Sequence, residues 1–160
     1  MISSQEAQIV DSKEDKTNKP LLSDDGKKKL KSLLILQEGY RTHPYQDTEN
    51  NTTIGIGYNL TSRGMKDDWI NNQYEEDVDE FLSNLNRDFY WFKYLNETRK
   101  MALVSMCFMG YKKFLSFKKM IKALESRSYT IAAIEMVDSK WATQVKGRAN
   151  YLAKMMRDGV

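Results

Sequence analysis

Only one stretch of this 160-residue chain reads as strand. Between Pro44 and Asn59, β-branched and aromatic residues interleave with polar ones, and the cluster Thr48 to Asn51 is turn chemistry, so a small β-hairpin or three-stranded sheet is predicted there. After Gly64 the periodicity is helical throughout. An α+β fold follows from that order, and a hydrophobic content of 41% is enough for a core in one domain or in one domain of two lobes.

Residues 1–25 are polar, without apolar periodicity, and are read as a flexible tail or linker. An amphipathic helix is predicted from about Lys27 to Glu38, on the spacing of Leu30, Leu33, Leu34 and Leu36. Ser23, Asp24 or Asp25 can cap its start and Gly39 suits its end, which puts Glu38 on the last turn. Within the sheet, Gly55 and Gly57 weaken the strands and signal close approach by backbone or ligand. A long helix is predicted over 66–88, with Trp69, Ile70, Tyr74, Val78, Phe81, Leu82 and Leu85 on one stripe and acidic residues opposite. Further helices are expected near 98–109, 114–125, 128–138 and 146–157, punctuated by Gly110, Gly147 and Gly159.

Charge is unevenly placed. Asp67 to Asp88 holds eight acidic residues against one basic, whereas Met101 to Val160 holds eleven Lys or Arg against four Asp or Glu. A basic half favours an anionic partner, and envelope polymers, nucleic acid and acidic membranes all qualify on sign alone. Cys107 is the only cysteine and lies in an apolar run, so it is read as a plain buried thiol of a chain folding in a reducing compartment. One histidine, His43, beside one cysteine makes a His/Cys metal site unexpected. No apolar run is long enough to span a membrane, and the start MISSQEAQIVDSKEDK lacks the apolar stretch of a secretory signal.

The residues that carry chemistry lie in EGYRTHPYQDTENNTTIGIGYNL, where Glu38, Asp47 and Thr53 stand nine and then six positions apart. Hydrolysing a glycoside with inversion asks for an acid to protonate the leaving oxygen and a base to activate water, with roughly 6.5 to 9.5 Å between the carboxyl groups. A helix end facing a hairpin can supply that gap. On spacing alone the other reading stays open: Glu38 a solvated helix-end charge and Asp47 a turn residue. Thr52 and Thr53 point to opposite faces of a strand, so register decides which hydroxyl meets Asp47.

The whole string resembles the phage-type lysozymes, the muramidases related to the T-even phage enzyme. E-G, then D, then T-I-G-I-G fall at that family's spacing. RKMALVSMCFMG is similar to the first helix of its C-terminal lobe, and YTIAAIEMVDSKWATQVKGRANYL to its last helices. The likeness runs from about Leu30 to Gly159. It implies a small N-terminal β-containing lobe (26–65), a long inter-lobe helix (66–90) and a larger helical lobe (91–160), with the active-site cleft between the lobes. Position by position it implies Glu38 as general acid, Asp47 as the residue that positions and activates water, and Thr53 as the hydroxyl that helps hold it. An acid in that role should be protonated when substrate is bound, and burial against apolar neighbours is expected around Glu38.

Arg148 matches the arginine that approaches the glutamate from the far lobe, and Tyr45, Glu49 and Phe108 match substrate-contacting positions. The lysine-rich face of Lys112, Lys113, Lys118, Lys119 and Lys122 either holds anionic murein or is a solvated face, and Trp141 is read as core. Three departures stand out: Tyr58 replaces the family's histidine in G-x-G-H, the connection after the sheet is shorter than in the T-even enzyme, and the polar tail before the first helix is additional.

The resemblance implies a cofactor-free and metal-free monomer that hydrolyses bacterial peptidoglycan. It is expected to be made in the host cytoplasm without a signal peptide, to reach the cell wall in the periplasm through a separate holin-like protein, and to use neither nucleic acid nor stable membrane insertion. Rival readings are a virion-tail or bacteriocin muramidase module, an inert murein-binding protein of the same fold, and a basic helical half that disrupts membranes or binds nucleic acid.

Overall fold

The computed structural model describes residues 20–160, so the tail predicted over residues 1–25 lies outside the described residues as far as residue 19. The architecture is α+β, with one small antiparallel sheet followed by helices. Two compact units are distinguished, one ending at Met65 and the other beginning at Lys66.

In the first unit, helix α1 (Asp24–Glu38) opens three residues before the predicted start. Ser23 explains this: its side chain accepts a hydrogen bond from the Gly26 N–H, and Asp24 and Asp25 sit in the positive first turn. Gly39, at φ +82°, ends the helix. None of its residues is buried.

Strands β1 (Arg41–Gln46), β2 (Thr52–Gly55) and β3 (Tyr58–Asn59) form the sheet in that order. Arg41 pairs with Gly55 but Tyr45 with Thr53, so the register slips between them. Pro44 lies in the slip, where the ladder is irregular and a residue without an N–H is tolerated. The five residues Asp47 to Asn51 make the turn, with Asn50 at φ +63°, a conformation asparagine tolerates. A single-turn helix α2 (Leu60–Arg63) follows, its Ser62 N–H capped by the Asn59 side chain. Four residues are too few to show periodicity, so this turn was not predicted.

The second unit begins with helix α3 (Asp67–Asp88). Of its predicted apolar stripe Leu85 is fully buried, Val78, Phe81 and Leu82 pack partly against the core, and Trp69, Ile70 and Tyr74 remain exposed. After a short 3-10 turn (Phe92–Tyr94) come α4 (Glu97–Cys107), α5 (Tyr111–Phe114), α6 (Lys118–Glu125), α7 (Tyr129–Val137), α8 (Lys140–Val145) and α9 (Gly147–Asp158).

The helix predicted over 114–125 is split. Ser116 donates its hydroxyl to the Lys113 carbonyl at 2.6 Å, and this local bond competes with helix continuation between α5 and α6. Helix α8 was not predicted either, although Ser139 caps it through the Ala142 N–H.

The core lies in this unit and is built from Leu85, Leu103, Phe114, Met120, Leu124 and Met156, all fully buried. Trp141 is core, as its apolar surroundings predicted. Cys107 is buried too, and burial pushes its thiol up to about 12, which makes it an inert packing group. Arg99 holds the end of α9: its guanidinium donates to the Met156 and Arg157 carbonyls and lies 3.8 Å from the centre of the Tyr129 ring. Among the described residues, no helix is long and apolar enough to cross a membrane.

Candidate active site

Asp47 opens the β1–β2 turn, and its short side chain folds back onto that turn. Oδ1 accepts the Glu49 N–H at 2.9 Å and the Asn51 N–H at 2.8 Å, while Oδ2 accepts the Asn51 side-chain amide at 3.2 Å. Such a wrap follows from an aspartate at the first position of a turn, whose side chain mimics one more peptide carbonyl. The Asn51 N–H is the strongest of the influences holding this carboxyl below the usual aspartate value. The Asn51 amide, the Glu49 N–H and the Thr53 hydroxyl act the same way, and partial desolvation opposes them. Asp47 is therefore an ionised acceptor at neutral pH.

Register decides the threonine. Thr53 is 4% exposed and its hydroxyl stands 3.5 Å from Asp47 Oδ2 and 3.4 Å from the Asn51 carbonyl oxygen. Thr52 instead accepts a hydrogen bond from the Gln46 amide at 3.1 Å. The Thr53 hydroxyl has one proton for two long contacts, and its lone pairs are left to receive a hydrogen bond.

Glu38 ends α1 and meets the other end of β2. A Cβ added at Gly57 would lie 3.3 Å from both Glu38 Cγ and Oε2, tighter than an ordinary contact. The close approach signalled by the glycines is therefore to a carboxyl group, at Gly57 and not at Gly55, where such an atom would meet open space. Gly57 is also at φ +68°, so a side chain there would be strained as well as crowded. Thr53 and Gly57 are four residues apart, which bounds their backbone separation at about 13 Å. Glu38 itself is exposed on the helix end, and no residue of its own helix is buried.

Tyr45 pairs with Thr53 across the sheet and so shares its face, with the Arg41 guanidinium 4.3 Å from its ring centre. Glu49 serves Asp47 through its backbone N–H, while the residue is exposed. At the position of the family histidine, Tyr58 donates its hydroxyl to the Gly64 carbonyl at 3.0 Å and carries Arg63 over its ring, a neutral tie across α2 in place of an imidazole.

Phe108 and Arg148 belong to the second unit. Phe108 is 44% exposed and packs edge-on to Phe81 and stacked on Tyr74, beside a groove lined by Val78, Leu82, Met101 and Val104. Arg148 donates to the Ser105 carbonyl at 2.6 Å and to its hydroxyl at 3.2 Å. Of the lysine-rich face, Lys113, Lys118 and Lys119 join Lys140, Phe117, Trp141, Glu135 and Asp138 in lining a concavity of about 500 Å³.

Asn51 and Gly57 are the two contributors whose roles the sequence did not assign. Gly57 carried a signal, a glycine inside a strand pattern. Asn51 carried only its place four residues after an aspartate.

A helix-end glutamate and a hairpin aspartate with a threonine beside it fit the class of two-carboxylate glycoside hydrolases. The chain belongs to the phage lysozyme family, whose model matches residues 36–157. It is 29% identical to probable T4-type lysozyme 2 of Dictyostelium discoideum and 28% identical to probable T4-type lysozyme 1 of the same organism, each match covering 81% of this chain and 94% of the relative. It is also 27% identical to the pre-baseplate central spike protein Gp5 of Enterobacteria phage T4, over 81% of this chain and 28% of that protein.

Proposed function

We propose that this protein is a muramidase, cleaving the β-1,4 bond between N-acetylmuramic acid and N-acetylglucosamine of bacterial peptidoglycan with inversion. The observation that carries the reading is the Asp47 carboxylate, held ionised by three N–H bonds with the Thr53 hydroxyl at its Oδ2, in a member of the phage lysozyme family. In the proposed reaction Glu38 gives its proton to the leaving glycosidic oxygen, and water attacks the anomeric carbon from the opposite face. Asp47 Oδ2 takes the proton that water loses, with Thr53 orienting that water. Glu38 ends ionised and Asp47 protonated, and exchange with solvent restores both. Tyr45, Glu49 and Phe108 contact substrate in this reading, and Arg148 has a supporting role and does not react.

The deciding experiment is digestion of purified peptidoglycan by the wild type and by Glu38→Gln. Release of reducing ends by the wild type, lowered about 10²- to 10⁴-fold in the variant, is expected. Equal activity in the two would remove Glu38 from the chemistry. The fresh product should be the α anomer, and a β anomer or a 1,6-anhydro end would overturn the role of Asp47.

Biologically, the reading is a cofactor-free monomeric lysis enzyme, made in the host cytoplasm and dependent on a holin-like protein to reach the wall. The likeness to a phage central spike protein favours one alternative, a virion-borne muramidase module. Recovery of the chain in purified particles would select it.

A further inference from the structure

Asn51 touches both partners of the proposed water site. Its side-chain amide donates to Asp47 Oδ2, its N–H donates to Asp47 Oδ1, and its carbonyl oxygen faces the Thr53 hydroxyl at 3.4 Å. We propose that Asn51 is a positioning residue that holds Asp47 Oδ2 toward Thr53, where the attacking water is to meet it, an inference that rests on the muramidase reading.

Two oxygens of Asp47 have different fates. Oδ1 takes two backbone N–H groups, at 2.9 and 2.8 Å, which fill both of its lone-pair directions. Oδ2 takes one well-formed bond, from the Asn51 amide, and a longer one of 3.5 Å from Thr53. Proton transfer from water therefore falls to Oδ2, and the Asn51 amide fixes which of its lone pairs stays available. Without that bond the backbone donors would still anchor Oδ1, but the carboxylate could pivot about it, and the Oδ2 lone pair would lose its aim at a water held by Thr53.

Charged groups on the neighbouring elements do not substitute for this contact. On β1, Arg41 lies over Tyr45 and His43 is exposed with its ring nitrogen against Thr42. Arg63 of α2 lies over Tyr58 of β3, Glu49 is exposed, and Glu38 stands against Gly57. The groups that hold Asp47 are N–H, amide and hydroxyl.

The test compares the full chain with Asn51→Ala and with the isosteric Asn51→Asp. Asn51→Ala keeps the backbone N–H and is expected to lower kcat about ten- to hundred-fold with KM within about two-fold, the signature of lost orientation rather than lost binding. Asn51→Asp replaces a donor with a second carboxylate and should in addition move the acid limb of the pH–kcat profile upward, because like charges oppose ionisation of Asp47. A purely structural asparagine would leave kcat per folded molecule of Asn51→Ala near wild type. Wild-type kcat and limb in both variants would overturn the proposal.

A carboxyl-carbon NMR titration of Asp47 supplies a readout independent of turnover. A higher midpoint in Asn51→Ala than in wild type supports the pairing, and identical midpoints overturn it even if the wild type is active. An inactive wild type would sink the muramidase reading instead, with the titration still deciding whether Asn51 holds Asp47.

Discussion

Residues 66–160 bury Leu85, Leu103, Phe114, Met120 and Met156 completely, whereas among the described residues before Lys66 the only buried side chain is that of Thr53. On α1, Leu30, Leu33, Leu34 and Leu36 are all exposed. The second unit is ordered by close packing, where each lost methylene opens a void. The first is ordered by hydrogen bonds of a turn, a cap and a short sheet. Groups that must exchange protons with substrate and solvent cannot be sealed in a core, so the proposed chemistry falls in the unit with less packing. Local opening should therefore cost less free energy in the first unit than in the second.

The largest effect that would break this division is in the core. Phe114→Ala should lower unfolding stability by about 3–5 kcal/mol, read from urea transitions, while peptidoglycan cleavage per folded molecule stays near wild type. A matching loss of cleavage would show the units to be energetically inseparable. By contrast, Glu38→Gln should abolish most cleavage and leave the transition unmoved.

Next in size is Arg99→Ala, which strips two carbonyls at the end of α9 of their donor and should cost about 1.5–3 kcal/mol, again without changing cleavage.

The smallest effect is with pH. Asp47 titrates below its ordinary 3.8 in the folded chain, so its stabilising contribution is complete above the unfolded value and is lost as pH falls through the folded one. The Glu49 and Asn51 amide resonances should hence shift together below pH 3.8. Movement near pH 5 or above would contradict the wrap around Asp47.

Much of this division was legible in the sequence, for physical reasons that differ between the units. The periods of α1, α3 and α9 are long enough to register, and Pro44 to Asn59 announced a sheet through its β-branched and turn residues. Shorter elements were not legible: α2 and α8 span fewer than two turns each, and the break between α5 and α6 depends on where one serine hydroxyl turns. The apolar stripe of α3 is continuous in the sequence, yet packing reaches its C-terminal half while Trp69, Ile70 and Tyr74 stay exposed.

At the site, spacing placed Glu38, Asp47 and Thr53 as candidates. It did not resolve Thr53 from Thr52, because alternation is symmetric until strand register is fixed. Nor did it find Asn51, since a turn asparagine looks the same whether it holds a carboxylate or faces water.

The clasp at the end of α9 has a consequence in time. Asn96 donates to the Gly159 carbonyl and Arg99 to those of Met156 and Arg157, joining residues 63, 57 and 58 positions apart. Ala149, Leu152, Ala153 and Met156 complete the core from the same helix. On a ribosome, the sheet bearing Asp47 can close while most of the chain is still unmade, because its strands are neighbours in sequence. The helical unit must wait for the last described helix to emerge, so a stalled or clipped product would carry the proposed water site without the packed core of the second unit.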